Sequence, residues 1–249
     1  MNSKKQQAII LAAGMGTRLL PITDTIPKCL LEVNGKSILL RQLEILEDLG
    51  ITETALVVGY LKEKIMKTVG SDFRSMKITY IENHEYKTTN NIYSLWLARD
   101  YLRRGCILLE SDIVFEKDII RMLLESEKEN IAIVDVFNPR MDGTVVTIDA
   151  ERKIREIILK QEQKEDFNFS DKLKTVNIYK FSSDFADTLI IPQLKQYIKN
   201  NDLNNFYEIV LKEIISMQKA NIYALIINHM NWMEIDDQND LKITEVLFG

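Results

Sequence analysis

Cysteine is scarce in this chain. Only Cys29 and Cys106 are present among 249 residues, each in an apolar run and far from the other. That excludes a disulfide framework and reads as two reduced core thiols of a cytoplasmic protein. With four prolines and nine glycines, collagen-like and low-complexity classes are excluded, and no Pro-, Gly- or Ser-rich linker divides the chain. Basic charge is not in excess: 32 Lys+Arg face 37 Asp+Glu, a net charge of −5. A surface built to coat nucleic acid or an anionic membrane is therefore not expected. No apolar stretch approaches the ~18–20 residues of a membrane helix. Lys4 and Lys5 before the apolar run 8–13 resemble a signal peptide, but the run ends at Gly14 without a cleavage site, so no export is expected. Histidine is limited to His84 and His229, both read as ordinary polar residues.

What is present is a β-α rhythm. Apolar β-rich runs occur at 8–13, 55–60, 77–82, 106–111 and 131–137, separated by stretches of helical period. Residues 37–49 form an apolar stripe with Ser37 as N-cap and Gly50 past the end, which predicts a helix. Further helices are predicted at 61–69, 91–102, 117–128, 183–200, 205–219 and 237–247. The first 137 residues thus read as β-α units around a mostly parallel sheet, doubly wound. After Asn138 the pattern changes to two short strands about a turn at Asp149–Lys153 and a polar loop, 161–172, which reads as a small β insertion. Strands at 173–181 and 222–228 return the chain to the sheet. The expectation is one domain over 1–249, its half at about 1–137 binding a nucleotide and its half at about 138–249 binding an acceptor.

The richest stretch is LAAGMGTRLLPITDTIPKCLLEV at 11–33. A strand (Leu11, Ala12, Ala13) runs into a loop, Gly14-Met15-Gly16-Thr17, and then reaches Arg18 and Lys28. Glycines let backbone N–H groups approach an anion, and the two cations can neutralise a triphosphate. Two other motifs fail: a dinucleotide fingerprint has Leu19 in place of its third glycine, and a P-loop over Gly35-Lys36-Ser37 has Leu30 where its first glycine belongs. Ser111-Asp112 ends the apolar run CILLE, at the strand edge where doubly wound sheets bind ligands. A second acidic group, Glu234, Asp236 and Asp237, follows a later strand. Carboxylates of this kind suit a hard cation such as Mg2+. Asp237 reads as a helix N-cap, and Glu110 is read as pointing away from Asp112. In TNNIYSLWLA, Asn90 or Asn91 is placed to cap a helix and to offer amide groups to a ligand.

LAAGMGTRLLPIT followed by PKCLLEVNGKSIL resembles the signature of the nucleotidyltransferases that make activated sugars and alcohols, on a Rossmann-like fold of GT-A type. VVGY at 57–60, TNNIYSLWLA at 89–98, LESDIVFE at 109–116, KTVNIYKFS at 174–182 and MEIDD at 233–237 extend the resemblance over nearly the whole chain. These later blocks are most similar to cytidylyltransferases acting on phosphocholine and on phosphonates such as 2-aminoethylphosphonate. The resemblance implies that Lys28 meets the α-phosphate region, Arg18 the β- and γ-phosphates, and that Asp112 and Asp236 hold Mg2+. It puts Gly59, Tyr60 and Asn83 near the base or ribose and turns the stretch with Asn90 and Ser94 towards the nucleotide.

The implied reaction joins CMP from CTP to a small phosphate or phosphonate with release of pyrophosphate, as in cell-surface polysaccharide or phosphonate biosynthesis. An acceptor oxygen already anionic near neutral pH needs no general base. Phosphocholine, phosphoethanolamine, aminoethylphosphonate, a phosphoramidate and a polyol phosphate all satisfy the chemistry. Among the aromatics Phe137, Tyr179, Tyr207 and Trp232, the placing of Trp232 before MEIDD and of Tyr207 beside Glu208 suggests an aromatic and acidic receptor for an acceptor's positive nitrogen. No nucleic-acid or membrane partner is implied; a homodimer is compatible with the resemblance. The alternatives are a sugar-1-phosphate nucleotidyltransferase using UTP or dTTP and a noncatalytic nucleotide-sensing subunit, the latter disfavoured because Lys28 and the acidic pair are all retained.

Overall fold

The computed structural model describes residues 6–249; the Lys4–Lys5 pair lies outside them. Fourteen strands are formed among the described residues: β1 (Gln7–Ala12), β2 (Glu32–Val33), β3 (Lys36–Ser37), β4 (Glu53–Val58), β5 (Asp72–Phe73), β6 (Met76–Glu82), β7 (Cys106–Glu110), β8 (Ile113–Phe115), β9 (Ile131–Val136), β10 (Val145–Ile148), β11 (Ile154–Ile158), β12 (Leu173–Phe181), β13 (Tyr223–Ile226) and β14 (Trp232–Glu234). Ten of them make one mixed sheet, ordered β11-β10-β12-β7-β1-β4-β6-β5, with β9 paired to β12 and β13. β7, β1, β4 and β6 are mutually parallel, whereas β12 runs antiparallel to β7, β9 and β10.

Both faces of the parallel part are covered, which is why its strands are continuously apolar. Along β1, Ile9 and Leu11 pack with Ile92 and Leu95 on one side, while Ala8, Ile10 and Ala12 pack with Leu39, Leu43 and Leu46 on the other. The helix predicted at 37–49 spans Ile38–Asp48, with Ser37 Oγ accepting from the Leu40 N–H. The segment 183–199 is helical, with a π-helical turn at Ala186–Ile190. The predicted hairpin is β10 against β11. The polar loop after it carries two aromatics the hydropathy pattern underrates: Phe169 stacks on Phe137 at 3.9 Å and meets Phe167 edge-on at 4.8 Å. Both thiols are buried, and burial pushes Cys29 and Cys106 up to about 12, so they stay protonated packing groups. No helix among the described residues is long and apolar enough to cross a membrane.

Two local features shape the C-terminal edge of the sheet. β14 pairs antiparallel with β8 as a short ribbon, aligning Glu234 with Ile113 and Trp232 with Phe115, and the Ile235 N–H donates to the Asp112 carbonyl at 3.0 Å. The ribbon thus carries the 234–237 acidic group to the C-terminal end of β7. In β12 the pairing with β9 shifts between Thr175 and Tyr179, where Asn177 takes a left-handed φ of 59°; this bulge alters which side chains the strand presents along its length.

Candidate active site

A cavity of about 260 Å³ opens at the C-terminal ends of β1, β6 and β7, the edge at which parallel α/β sheets bind ligands. The loop after β1 forms one wall. A Cβ on Gly14 would meet nothing within 4 Å, so backbone is open to the cavity there. Gly16 serves otherwise: its φ is 62°, and a Cβ would lie 3.1 Å from Lys28 Cβ and 3.2 Å from Thr23 Cγ2, so it permits the turn and the close approach of Lys28. Its carbonyl accepts from the Leu19 N–H at 3.0 Å and from Thr23 Oγ1 at 2.9 Å.

Leu11, Ala12, Ala13, Thr17 and Arg18 line the same cavity, as do Asn83, Asn90 and Ser94 opposite. Asn83 is buried, donating to Ser94 Oγ at 3.1 Å and Thr89 Oγ1 at 3.2 Å. Asn90 caps the helix Asn91–Leu97 by accepting from the Asn91 N–H. Met15, Gly59 and Tyr60 do not line the cavity. Gly59 and Tyr60 support the loop from behind. A Cβ on Gly59 would stand 2.8 Å from Tyr86 Cβ and 3.0 Å from the Ala13 carbonyl oxygen. The Tyr60 N–H donates to that same carbonyl, and its hydroxyl donates to the Thr23 carbonyl at 2.9 Å.

At the floor, Lys28 Nζ donates to Asp112 Oδ2 at 2.6 Å and to Asp236 Oδ1 at 2.8 Å; Arg18 Nη2 lies 2.6 Å from the same Asp236 oxygen. Two carboxylates distant in sequence therefore face each other across one ammonium, brought together by the β8–β14 ribbon. Burial alone would disfavour the Lys28 charge, but Asp112 and Asp236 outweigh it and hold its pKa above the ordinary lysine range. Burial likewise works against the Asp236 anion, and Lys28 and Arg18 together keep its pKa below the usual value. Gln42, from the helix Ile38–Asp48, fixes the turn by donating to the carbonyls of Glu110 at 2.9 Å and Ile113 at 2.8 Å.

The expectation for Glu110 is corrected by the structure. β7 ends at Glu110 and the chain turns at Ser111 and Asp112, so the carboxylates of Glu110, Asp112 and Glu234 come within 4.8 Å of one another. Asn91 Nδ2 donates to Glu110 Oε1 at 3.0 Å. Burial first, then the neighbouring Asp112, Glu208 and Glu234, raises the Glu110 pKa well above the carboxylate range. Asp112 Oδ1 is buried without a hydrogen-bond partner. Asp112, with this unspent buried oxygen, and Asp236, which faces it across Lys28, are oxygen donors that fit a hard divalent cation such as Mg2+.

A second cavity, about 190 Å³, adjoins the first and shares Arg18 and Asp236 with it. Trp232 lines it beside Arg140, Met141 and Lys174, with its Nε1 donating to Asp135 Oδ2 at 2.8 Å. Tyr207 and Glu208 line neither cavity. Tyr207 is wholly buried, edge-on to Tyr179 at 5.8 Å, and its N–H donates to Asn91 Oδ1. Glu208 is buried next to Lys174 and Glu234, and burial pushes its pKa up to about 7. The position foreseen for an acceptor's positive nitrogen already contains one of the chain's own: Lys174 Nζ stands 5.9 Å from the Trp232 ring centroid and 3.4 Å from Glu234 Oε2. Asp237 is the N-cap of the helix Gln238–Leu247, in a reciprocal box with Asp240.

Sequence reasoning misses Gln42, Asn91 as a partner of Glu110, Lys174 and Arg140. The first two resemble ordinary helix residues. Lys174 lies within a strand run, where a lysine normally signals a solvated face, and Arg140 lies in a loop without a motif. His84 and His229 line neither cavity.

A mixed, mostly parallel sheet with a glycine loop, two cations and converging carboxylates at its C-terminal edge is the arrangement of a phosphate-handling α/β protein. Residues 7–242 match the Nucleotidyl transferase family, and the chain belongs to it. The chain is 31% identical over 244 residues to CMP-5'-(3-aminopropyl)phosphonate synthase of Streptomyces rubellomurinus, covering 98% of this chain but 39% of that protein. It is 27% identical to CTP:phosphoglutamine cytidylyltransferase of Campylobacter jejuni, covering 95% of this chain and 98% of that one. The solved CTP:phosphocholine cytidylyltransferase of Streptococcus pneumoniae superposes with a TM-score of 0.80 at 21% identity, over 98% of this chain and all of that one. At that identity the likeness is one of fold.

Proposed function

We propose that this protein is a cytidylyltransferase that transfers CMP from CTP to a small acceptor bearing a phosphate or phosphonate, releasing pyrophosphate. The observation that carries the reading is the pair of adjoining cavities meeting at Arg18 and Asp236: one is walled by a phosphate-ready loop, the other is a separate chamber for a second substrate. The relative named for CTP that matches over nearly the whole of both chains supports the choice of nucleotide.

In this reading the backbone from Leu11 to Thr17 receives the triphosphate, and Asn83, Asn90 and Ser94 meet the nucleoside, with Gly59 and Tyr60 bracing the loop. Asp112 and Asp236 would hold Mg2+, which when bound neutralises phosphate charge and stabilises the developing oxyanions. Lys28 and Arg18, which converge on these carboxylates, would offer their charge to the phosphate oxygens. Displacement at phosphorus spreads negative charge over the equatorial oxygens, so positioned cations provide the catalysis and no nucleophilic side chain is required. Lys28, fully charged at any working pH, suits that task.

The test is pyrophosphate release with CTP against a panel of phosphate, phosphonate and phosphoramidate acceptors. Turnover with CTP and at least one of them is expected, and dependence on a divalent cation is read in the same assay. Turnover confined to UTP or dTTP with hexose 1-phosphates would replace this reading with a sugar-1-phosphate nucleotidyltransferase, which the similarity to a Haloferax volcanii UTP--glucose-1-phosphate uridylyltransferase, 33% identical over 163 residues, keeps in view.

A further inference from the structure

Lys174 is 2% exposed, and it sits in the wall of the second cavity. Its Nζ donates to the Thr175 carbonyl at 2.6 Å and to Glu234 Oε2 at 3.4 Å, 5.9 Å from the Trp232 ring centroid. An aromatic face and a carboxylate are what an organic cation seeks, and 6 Å is within the range of a cation–π contact. The backbone makes room for the side chain. Gly143 has a φ of 102°, and a Cβ there would stand 3.2 Å from both Cε and Nζ of Lys174. A buried ammonium with two good partners does not leave readily, since departure would strand the Glu234 carboxylate.

The other carboxylates of the cavity are also engaged. Asp142 pairs with Lys160, Asp236 with Arg18 and Lys28, and Asp237 and Asp240 cap a helix. Arg140 makes no ion pair among the described residues.

We propose that Lys174 is a specificity-determining residue of this cavity: its ammonium is the built-in occupant of the cation position between Trp232 and Glu234. The acceptor therefore meets this corner with a hydrogen-bond-accepting oxygen, from a carboxylate, carbonyl or phosphoryl group, and not with a quaternary ammonium. The proposal rests on the reading of the second cavity as the acceptor's. It also explains how an aromatic beside acidic residues can be present without making a choline site.

The experiment is a titration of tetramethylammonium chloride, with sodium chloride as ionic-strength control, followed by tryptophan fluorescence in a Trp96→Phe background. Trp232 is then the only tryptophan, since the chain has two. The wild-type pocket should show no saturable quench. Lys174→Met should show a saturable quench, with a midpoint at least ~10-fold below the highest concentration at which wild type shows none, because the vacated position now offers ring and carboxylate to the probe. Adding Glu234→Gln should abolish the gain, and Lys174→Arg should not bind. Lys174→Gln, expected to gain binding likewise, covers the case in which Lys174→Met does not fold. In the transfer assay, Lys174→Met should raise the kcat/KM ratio of phosphocholine over glycerol 3-phosphate by about tenfold, of the same origin. Saturable tetramethylammonium binding by wild type, or no gain in either neutral variant, would overturn the proposal. Absence of CTP-dependent turnover with every acceptor would sink the cytidylyltransferase reading instead, while the fluorescence titration would still decide the role of Lys174.

Discussion

The two cavities share a wall and differ in how they are built. One wall of the first is a contiguous stretch, Leu11 to Lys28, that lies along the end of a parallel strand and works through backbone, glycine and two long cations, with residues of 83–94, 110–112 and Asp236 closing the rest. The second is assembled from β12, β14 and the loop at 138–143, whose residues are scattered over the second half of the chain, and it works through buried charge. A phosphate is the same in every nucleotide, so the part that receives it can be a fixed local motif. An acceptor group is particular, and its receptor depends on which side chains a bulged antiparallel strand turns inward. On the proposed reading, the wall for the common phosphate moiety is written in sequence order, and the site for the variable acceptor is written in the tertiary structure.

The most damaging way to break that division is to attack the wall the cavities share. Asp112→Asn removes a partner of Lys28 and a proposed cation ligand, and should lower CTP-dependent turnover by at least ~1000-fold, with Asp236→Asn close behind. The measurement is pyrophosphate release at saturating CTP with titrated Mg2+, alongside Mn2+ binding followed by electron paramagnetic resonance. Unchanged Mn2+ affinity together with unchanged turnover in both variants would remove these carboxylates from the chemistry.

Lys28→Met should cost about 100-fold in turnover, the scale for losing one preorganised donor to transition-state charge, with the fold retained by circular dichroism. Because Lys28 and Arg18 hold the Asp236 carboxyl below its usual range, the variant should also shift the acid limb of the pH–rate profile upward. A variant of near-normal rate would place the phosphate charge elsewhere.

The same contrast governs what is legible in the sequence. The β-α rhythm, the helix N-caps at Ser37 and Asp237, and the hairpin of β10 and β11 can be read because each depends on local pattern: capping side chains, period and turn residues. Two apolar strands each ending in an acid point to a meeting of Asp112 and Asp236, and it is the β8–β14 ribbon that realises it. The reading of Glu110 fails because β7 ends there and the turn at 111–112 brings the Asp112 carboxylate back beside it. Lys174 is illegible: a lysine flanked by Leu173 and Thr175 in a strand gives the same signal on a wet edge as in a cavity. Only the bulge at Asn177 and the space left by Gly143 decide which it is.

A smaller effect is expected from the back of the phosphate loop. A Cβ at Gly59 would meet Tyr86 Cβ at 2.8 Å and the Ala13 carbonyl at 3.0 Å, so Gly59→Ala must displace either the tyrosine or the loop. Overpacking of this kind costs roughly 1–3 kcal/mol. The KM for CTP should rise more than that for the acceptor, since Ala13 belongs to the first cavity alone. Equal increases would mean that the loop is not specific to the nucleotide.

The mildest prediction tests the buried charge behind the second cavity. Glu208 Oε2 has no hydrogen-bond partner, and burial, the main cause, lifts its carboxyl from 4.5 to about 7, reinforced by Glu234 and opposed by Lys174. Below about pH 4.5 the group is protonated in both folded and unfolded chains, so it adds no pH-dependent cost. Between 4.5 and 7 the unfolded chain releases a proton that the folded chain retains, so its contribution to stability falls as pH rises, and above 7 the full cost is present. Glu208→Gln removes the titration while keeping the shape. The variant should match wild type in thermal unfolding near pH 4.5 and be more stable at pH 8 by on the order of 1–2 kcal/mol, a discount on the full shift because Lys174 compensates part of the charge. Turnover at pH 6 should change little, because Glu208 lines neither cavity. A variant destabilised at pH 8 would mean that the ionised Glu208 is stabilised in the fold by Lys174, and the two would then form a balanced ion pair behind the second cavity where a net cost of ionisation is expected.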